Sequence, residues 1–196
     1  MLSKINFIDG EHTFKYNLVM RILKNLLLFF ISILFCAKSE KEYFYKNTII
    51  GGPCEIKFYC ADKKNAQTVL NEINRELNYL DSLLSYFSPH SLVSKINREH
   101  RARIPEGIKP IFLMSDSISR LTNGLFDISI APLLEIWGFY KKEKMVPDKK
   151  MIEKTKKLVD YRKIIIKGDS IFIPDNMKID LGGIAQGFSA DRVVNI

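Results

Sequence analysis

Ile179-Asp180-Leu181-Gly182-Gly183-Ile184-Ala185-Gln186-Gly187-Phe188 joins a short apolar run to paired glycines and then to the start of a helix. Glycines at a turn let backbone amides approach a ligand, and the first amides of a helix have no partner within it. Such a helix start favours an anion. The glycine spacing fits neither the P-loop nor the dinucleotide-binding fingerprint. The stretch therefore predicts a strand, a turn and a helix, and assigns neither nucleotide fold.

The longest helix is predicted upstream of this stretch, with Asp62 as its N-cap. Its apolar residues recur at intervals of three and four, which places them on one stripe that faces a core. They are Ala66, Val69, Leu70, Ile73, Leu77, Leu80, Leu83 and Leu84.

The remaining elements mix strands and helices around this long helix. Tyr43 to Ile50 and Cys54 to Cys60 are predicted strands, and Gly51-Gly52-Pro53 separates them as in a hairpin. The other predicted helices are Ser91 to Asn97, Glu106 to Thr122 (with Ile108, Ile111, Phe112, Ile118 and Leu121 buried), Pro147 to Val159 and a last one from Ile184. The other predicted strands are Lys163 to Ile166, Ser170 to Ile173 and Met177 to Leu181. This order, without internal repeats, predicts an α+β fold in a single mixed α/β domain.

Two cysteines lie in the second predicted strand. Alternation places Cys54, Ile56, Phe58 and Cys60 on one face. Six residues of strand separate the two sulfurs by roughly 20 Å, which is beyond the reach of a disulfide. The pattern predicts buried apolar thiols, and neither a redox pair nor metal ligands.

Composition narrows the class of protein. The 196 residues carry a net charge of +8, with 46% hydrophobic and 27% charged residues, as in a globular protein. The lysines are scattered and do not alternate with aromatic residues. This favours a solvated basic surface over nucleic-acid binding.

The N-terminal region has the features of an export signal. Arg21 and Lys24 precede an apolar run from Leu26 to Phe35, and Cys36 ends it. Ten helical residues reach only about 15 Å, half of a bilayer core. Residues 20–36 are therefore predicted to be a signal peptide starting at Met20, and residues 1–19 a mis-assigned extension. Cys36 stands where a lipobox places its acylated cysteine, although Phe35 replaces the usual small residue. We expect export to the periplasmic side of the inner membrane, with membrane attachment through a lipidated Cys36.

The segment from Gly124 to Phe139 carries groups that suit a planar ligand. Phe126 and Trp137 could border a ring system, and Asp127 could accept hydrogen bonds from an imide or a ribose. Each of these residues taken singly is equally typical of a core or turn position.

Four segments, taken in order, resemble the ApbE-type flavin transferases (FAD:protein FMN transferases). That family has a Met-Gly-Thr strand end, a Ser-rich loop, a Gly-Ala-Phe-Asp segment followed by Pro-Leu and Trp-Gly-Phe, and an Asp-Leu-Gly-Gly-Ile-Ala-Lys-Gly turn. The matching segments here are Ile50-Gly51-Gly52, Ser85 to Asn97, Gly124 to Phe139 and Asp180 to Gly187. The resemblance covers residues 43–196.

The resemblance implies an α+β fold with FAD in a cleft and Mg²⁺ at its phosphates. A threonine hydroxyl of a target flavoprotein would attack the FMN phosphate, and AMP would leave. The implied magnesium ligand is the carbonyl of Ala185. The residues implied to border FAD are Ile50, Phe87, Leu125, Phe126, Asp127, Asp180 and Gly182.

The chain also departs from the family pattern. Ile50 replaces methionine, Gly52-Pro53 replaces a small polar residue, and Gln186 replaces lysine. Family members continue well beyond the position of Ile196, so the resemblance predicts the N-terminal part of a domain that is incomplete at its C-terminus. Two alternatives stay open: an exported flavin-binding protein or inactive remnant without transferase activity, and an FAD pyrophosphatase that uses water as the acceptor.

Overall fold

The computed structural model describes residues 19–29, 39–141 and 143–196. The helices are α1 (residues 19–29), α2 (Lys63–Leu84), α3 (Leu92–Glu99), α4 (Lys109–Leu121), α5 (Ala131–Ile136), α6 (Lys149–Lys156) and α7 (Gly182–Val194). The strands are β1 (Lys41–Ile49), β2 (Gly52–Cys60), β3 (Arg101–Arg103), β4 (Ile165–Lys167) and β5 (Ser170–Phe172). The predicted mixture of helices and strands is confirmed.

Strands β1 and β2 form the predicted antiparallel hairpin, in register from Lys41 opposite Cys60 to Ile49 opposite Gly52. The two turn residues, Ile50 and Gly51, have φ values of 52° and 73°. A tight hairpin turn needs this left-handed backbone, which a β-branched residue rarely adopts. The Ile50 amide donates a 2.8 Å hydrogen bond to Asp81 Oδ1, and its side chain is buried. These two interactions stabilise the turn against its local strain.

Helix α2 buries its apolar stripe in the core, as the pattern predicts. Asp62 caps it by accepting a 2.9 Å hydrogen bond from the Asn65 amide. Helices α3 and α7 and the hairpin pack against it. The fully buried positions on its stripe are Ala66, Ile73, Leu77, Leu80 and Leu84.

The second sheet contains a strand that the sequence did not indicate. Its order is β3-β5-β4, with Arg101 opposite Phe172 and Ile165 also opposite Phe172. The β4–β5 hairpin was predicted. Strand β3 is Arg-Ala-Arg, which shows no strand pattern, and it is extended because β5 offers it backbone partners.

The prediction of a strand at Met177 to Leu181 is wrong. The Asn97 side chain accepts a 2.7 Å hydrogen bond from the Ile179 amide and donates a 2.9 Å bond to the Ile179 carbonyl. The Asp180 amide donates to the carbonyl of Ile128 at 2.7 Å. These groups take the place of a neighbouring strand. Helix α7 then begins at Gly182, two residues before the predicted start.

Two helix predictions need correction in detail. Ile108, Ile111 and Phe112 are buried as predicted, whereas Ile118 is only partly buried and Leu121 is 83% exposed. Leu121 ends the helix, and the chain then turns away through left-handed conformations. The helix predicted for Pro147 to Val159 is limited to Lys149–Lys156.

Cys54 and Cys60 are both free and only partly buried, so the prediction of buried thiols is wrong. The reason is that the β2 face that carries them is half covered. Partial burial raises the pKa of the Cys54 thiol, which disfavours the reactive thiolate.

The N-terminal predictions fall largely outside the described residues. Residues 1–18 and 30–38, which include Cys36, are among those not described, and α1 is exposed throughout. None of the helices in the described ranges combines the length and hydropathy needed to cross a membrane.

Candidate functional site

The candidate site lies at the N-terminal end of α7, where Asp180 organises the glycine turn. Its Oδ1 accepts a 2.5 Å hydrogen bond from the Gly182 amide, and its Oδ2 accepts a 2.5 Å bond from the Tyr140 hydroxyl. A carboxylate is favoured at a helix N-terminus, where the backbone dipoles present positive partial charge. Asp180 therefore links the turn to the segment that carries Tyr140.

Three aromatic side chains meet beside this turn. The rings of Tyr86 and Tyr140 stack with centroids 3.7 Å apart and planes 15° apart. Phe87 stands edge-on to both, at 6.2 Å from Tyr86 and 5.8 Å from Tyr140, and is 64% exposed. A Cβ at Gly51 would lie 4.0 Å from the Phe87 ring, so the hairpin turn also reaches this cluster.

An ion pair between Glu135 and Lys178 lies against the hydroxyl of Tyr86. The Tyr86 hydroxyl donates a 2.8 Å hydrogen bond to Glu135 Oε1, which also accepts a 2.6 Å bond from Lys178 Nζ. Burial raises the pKa of both Tyr86 and Tyr140 well above the ordinary value. The hydrogen bonds from Tyr86 to Glu135 and from Tyr140 to Asp180 raise these pKa values further, because a neighbouring carboxylate disfavours a second negative charge.

Tyr86 and Tyr140 are therefore expected to keep their protons above about pH 10, where an ordinary tyrosine ionises. In the unfolded state the two tyrosines lose their protons at a lower pH than in the folded state. Their raised pKa values therefore contribute stability that is fully present below about pH 10 and is lost as the pH rises through the folded-state pKa values. Ultraviolet titration of tyrosinate should show a delayed fraction that falls in Tyr86→Phe and in Tyr140→Phe and disappears in the double variant. A delayed fraction that persists in the double variant would contradict the assignment.

Phe126, which the resemblance implies to border FAD, lies against the glycine turn. A Cβ at Gly183 would lie 3.2 Å from Phe126 Cε2, so glycine lets the ring approach the start of α7. The amide of Phe126 is held by a 3.1 Å hydrogen bond to Thr122 Oγ1. Leu125, in contrast, is 93% exposed and has its side chain in solvent.

Asp127 is engaged with its own chain. Its Oδ1 accepts hydrogen bonds from the amide and hydroxyl of Ser129 at 2.8 and 2.6 Å. Its Oδ2 accepts a 2.8 Å bond from the Tyr161 amide. The carboxylate thus joins the start of the 127–130 turn to the segment before β4, and its role in flavin binding stays a prediction.

Ala185 is fully buried in the first turn of α7, and its amide donates a 2.8 Å hydrogen bond to the Leu181 carbonyl. A helical carbonyl accepts one intrahelical bond and keeps a second lone pair, which is an oxygen donor of the kind magnesium prefers. Within the described part of the chain, no three His, Cys, Asp or Glu residues are grouped as a metal site.

Most of the residues that the sequence predicted for the site lie around the start of α7, and Ala185 lies in the first turn of that helix. The residues around the helix start are Ile50, Phe87, Phe126, Asp180 and Gly182. Sequence reasoning missed the residues that complete the cluster: Tyr86, Glu135, Tyr140 and Lys178. The available signal was the adjacency of Tyr86 to Phe87 and of Tyr140 to Phe139.

The described elements match known proteins in sequence and in fold. The model of the ApbE family matches residues 50–196. An FAD:protein FMN transferase of Buchnera aphidicola subsp. Schizaphis graminum is 28% identical over 181 residues, covering 87% of this chain and 53% of the relative. One of Klebsiella pneumoniae (strain 342) is 27% identical over 160 residues, covering 79% and 49%.

Solved structures agree on the fold. The apo form of Pseudomonas stutzeri flavinyl transferase ApbE superposes with a TM-score of 0.71 at 23% identity, covering 80% of this chain and 51% of that one. The Thermotoga maritima ApbE protein superposes with a TM-score of 0.71 at 25% identity, covering 79% and 52%. The chain spans about half the length of the curated relatives it matches. The match over residues 50–196 confirms the resemblance seen in the sequence, and the chain belongs to the ApbE family.

Proposed function

We propose that this protein is an FAD:protein FMN transferase, which moves FMN from FAD to a threonine of a target flavoprotein. The observation that carries the proposal is the match of residues 50–196 to the ApbE family, with relatives named for that activity. In the reaction, the threonine hydroxyl oxygen forms a bond to the FMN phosphorus. The bond from that phosphorus to the AMP oxygen breaks, the threonine proton is lost, and AMP leaves.

The geometry of the candidate site supports binding of a planar ring next to phosphates. The exposed Phe87 and the Tyr86–Tyr140 pair provide aromatic faces beside the start of α7. The start of α7 lies beside these rings, and its helix dipole favours negative charge, although the Gly182 amide itself already donates to Asp180 Oδ1. Flavin and phosphate surfaces are therefore adjacent, as FAD requires.

The proposal includes Mg²⁺ because of the ligands that this ion prefers and the charge that it neutralises. The ion prefers oxygen donors in near-octahedral geometry, and it neutralises charge on transferred phosphoryl groups. The Ala185 carbonyl would be one such donor, with phosphate oxygens and waters as others. The chain's own contribution is to hold the flavin and to orient the phosphates at the glycine turn.

We also propose export to the periplasmic side of the inner membrane, with attachment through Cys36. The supporting observation is the order of basic residues, apolar run and cysteine between Arg21 and Cys36. Mass spectrometry of the native protein tests it. An N-terminal diacylglyceryl Cys36 is expected, and an uncleaved N-terminus in the soluble fraction would overturn the proposal.

The transferase proposal is tested with the full chain, FAD, Mg²⁺ and an acceptor domain that carries the target threonine. Covalent flavin fluorescence on a denaturing gel is expected, and it should be lost with EDTA or with an acceptor whose threonine is alanine. Release of FMN and AMP without labelled acceptor would indicate a pyrophosphatase. Intact bound FAD would indicate a flavin-binding protein. Absence of FAD binding would overturn the transferase, the pyrophosphatase and the flavin-binding protein alike.

The Tyr86→Ala variant tests the site within the same assay. Loss of one aromatic stacking surface is expected to weaken FAD binding about tenfold, as for other stacked rings. Tyr79→Ala, on the exposed side of α2, is the matched control. Equal FAD affinity in the two variants would show that the flavin does not use this cluster.

A further inference from the structure

Lysines occur throughout the chain, but most of its net charge lies in one surface segment around α6. Residues 141–157 contain eight lysines, no arginine and three acidic residues, so they carry five of the eight net positive charges. The candidate site described above uses none of these lysines. Those that the structure describes are all exposed: Lys141, Lys144, Lys149, Lys150, Lys154, Lys156 and Lys157.

These lysines have few acidic partners. Among the described residues, the only ion pair that involves one of them joins Lys156 to Glu153 across 4.0 Å. The Asp148 carboxylate caps α6 by accepting a 2.8 Å hydrogen bond from the Met151 amide. An ammonium group is costly to bury without a partner, so this face is expected to stay in solvent unless an anionic surface meets it. The charge therefore indicates an anionic partner.

Apolar side chains stand beside the lysines. Phe139 and Met145 are about half exposed, and Val146 is 87% exposed. The loop that carries them is closed, because the Met145 amide donates a 3.1 Å hydrogen bond to the Trp137 carbonyl. Lys144 Nζ lies 5.2 Å from the centre of the Phe139 ring, within the range of a cation–π interaction. The loop therefore presents apolar groups and ammonium groups to solvent side by side.

This combination fits the surface of an anionic bilayer better than it fits a protein partner. Protein interfaces are enriched in arginine and depleted in lysine, and their anchor residues fill shaped pockets. Lysine carries a compact charge on a flexible stem, which suits mobile phosphate headgroups. Single apolar side chains can enter the boundary between headgroups and acyl chains. Clusters of about four to eight basic residues are typical of segments that bind anionic lipids.

We propose that residues 139–157 form a docking surface for an anionic phospholipid bilayer. The lysine ammonium groups contact the phosphate headgroups, and Val146 enters the apolar boundary beneath them. The surface is separate from the apolar run between Leu26 and Phe35 and acts without lipidation of Cys36. Attachment at Cys36, as proposed above, would leave at most about 17 Å of chain before β1, so the bilayer would lie close to the domain.

Lysine labelling of the full chain on two kinds of vesicle tests the proposal. One kind is phosphatidylcholine alone, and the other contains equal parts of phosphatidylcholine and phosphatidylglycerol. Both can accept the apolar run before Cys36, so the difference between them reports on charge. Peptide-resolved mass spectrometry should show about fivefold slower acetylation of Lys149 and Lys150 on the anionic vesicles, with Lys63 and Lys64 changed less than about twofold. Salt at about 1 M should abolish this protection, because it shortens the screening length to about 3 Å.

A matched pair of double variants separates this surface from the overall charge. Lys149 and Lys150 begin α6 directly after an aspartate cap, as Lys63 and Lys64 begin α2. All four side chains are exposed, and replacement of either pair by glutamate changes the net charge equally. Lys149→Glu/Lys150→Glu should reduce the preference for anionic vesicles about tenfold, and Lys63→Glu/Lys64→Glu less than about twofold.

The apolar component has its own variant. Val146→Ser should weaken binding to the anionic vesicles about threefold, because the side chain no longer favours the apolar boundary. Val194→Ser, at an equally exposed position at the end of α7, is the control and should leave binding unchanged.

Four results would overturn the proposal. These are equal labelling of Lys149 and Lys150 on the two vesicles, equal effects of the two double variants, unchanged binding in Val146→Ser, and equal protection by soluble polyglutamate. The last would show that the face binds any polyanion, including an acidic protein. None of these measurements uses FAD or an acceptor domain, so their failure is distinguishable from failure of the proposed transferase activity.

Discussion

Replacement of Asp127 by alanine is expected to lower the free energy of unfolding by about 2–4 kcal/mol, because it removes three hydrogen bonds to a carboxylate. The donors are the amide and hydroxyl of Ser129 and the amide of Tyr161. Ser129 is fully buried, so its groups cannot turn to water after the change. Urea unfolding followed by circular dichroism measures the loss.

The Asp127 series also separates a folding role from a ligand role. Asp127→Asn should recover only part of the stability, since it keeps the acceptor for Ser129 but places an NH₂ group against the Tyr161 amide. Asp191→Ala, an exposed carboxylate on α7, is the control and should change stability by less than about 0.5 kcal/mol. If Asp127→Ala leaves stability unchanged and weakens FAD binding alone, the carboxylate serves the flavin and its internal hydrogen bonds do not matter.

Asn97→Ala is expected to lower the free energy of unfolding by about 2–4 kcal/mol and to weaken FAD binding as well. The Asn97 amide is the partner of both the amide and the carbonyl of Ile179, at 2.7 and 2.9 Å. Ile179 is fully buried, so the change leaves two backbone groups without hydrogen bonds in the core. The segment that they anchor leads directly to Asp180 and the glycine turn, so its loosening displaces the start of α7.

Measurement of stability and FAD affinity on the same preparation checks this prediction. Asn71→Ala, an exposed change on α2, is the control and should affect neither quantity. A stable Asn97→Ala protein that binds FAD like the parent would show that residues 177–181 keep their position without this side chain.

Local signals explain why much of the fold was predictable. The stripe on α2 and its Asp62 cap depend on residues three or four apart, and the hairpin depends on alternation around a glycine turn. Both were confirmed. The missed strand β3 and the wrong strand at Met177 to Leu181 depend on partners from elsewhere in the chain, which no local pattern contains.

The candidate site was predictable in part for the same reason. The resemblance depends on segments that are each continuous, so it identified Phe87, Phe126, Asp180 and the glycine turn. It did not identify Glu135 and Tyr140, which acquire their roles only when the chain folds. Tyr86 contacts Glu135 from 49 positions away, and Tyr140 contacts Asp180 from 40 positions away.

Periodicity, turn chemistry and motif order are local properties, so the sequence alone predicts the α+β class, the long amphipathic helix, the hairpin, the glycine turn and membership of the ApbE family. The folded chain alone shows that Tyr140 stacks on Tyr86 and that the Asn97 side chain, 82 positions away in sequence, gives Ile179 the hydrogen bonds of a strand partner. Those outcomes depend on which distant groups meet in the folded chain, where burial makes each polar group find a partner.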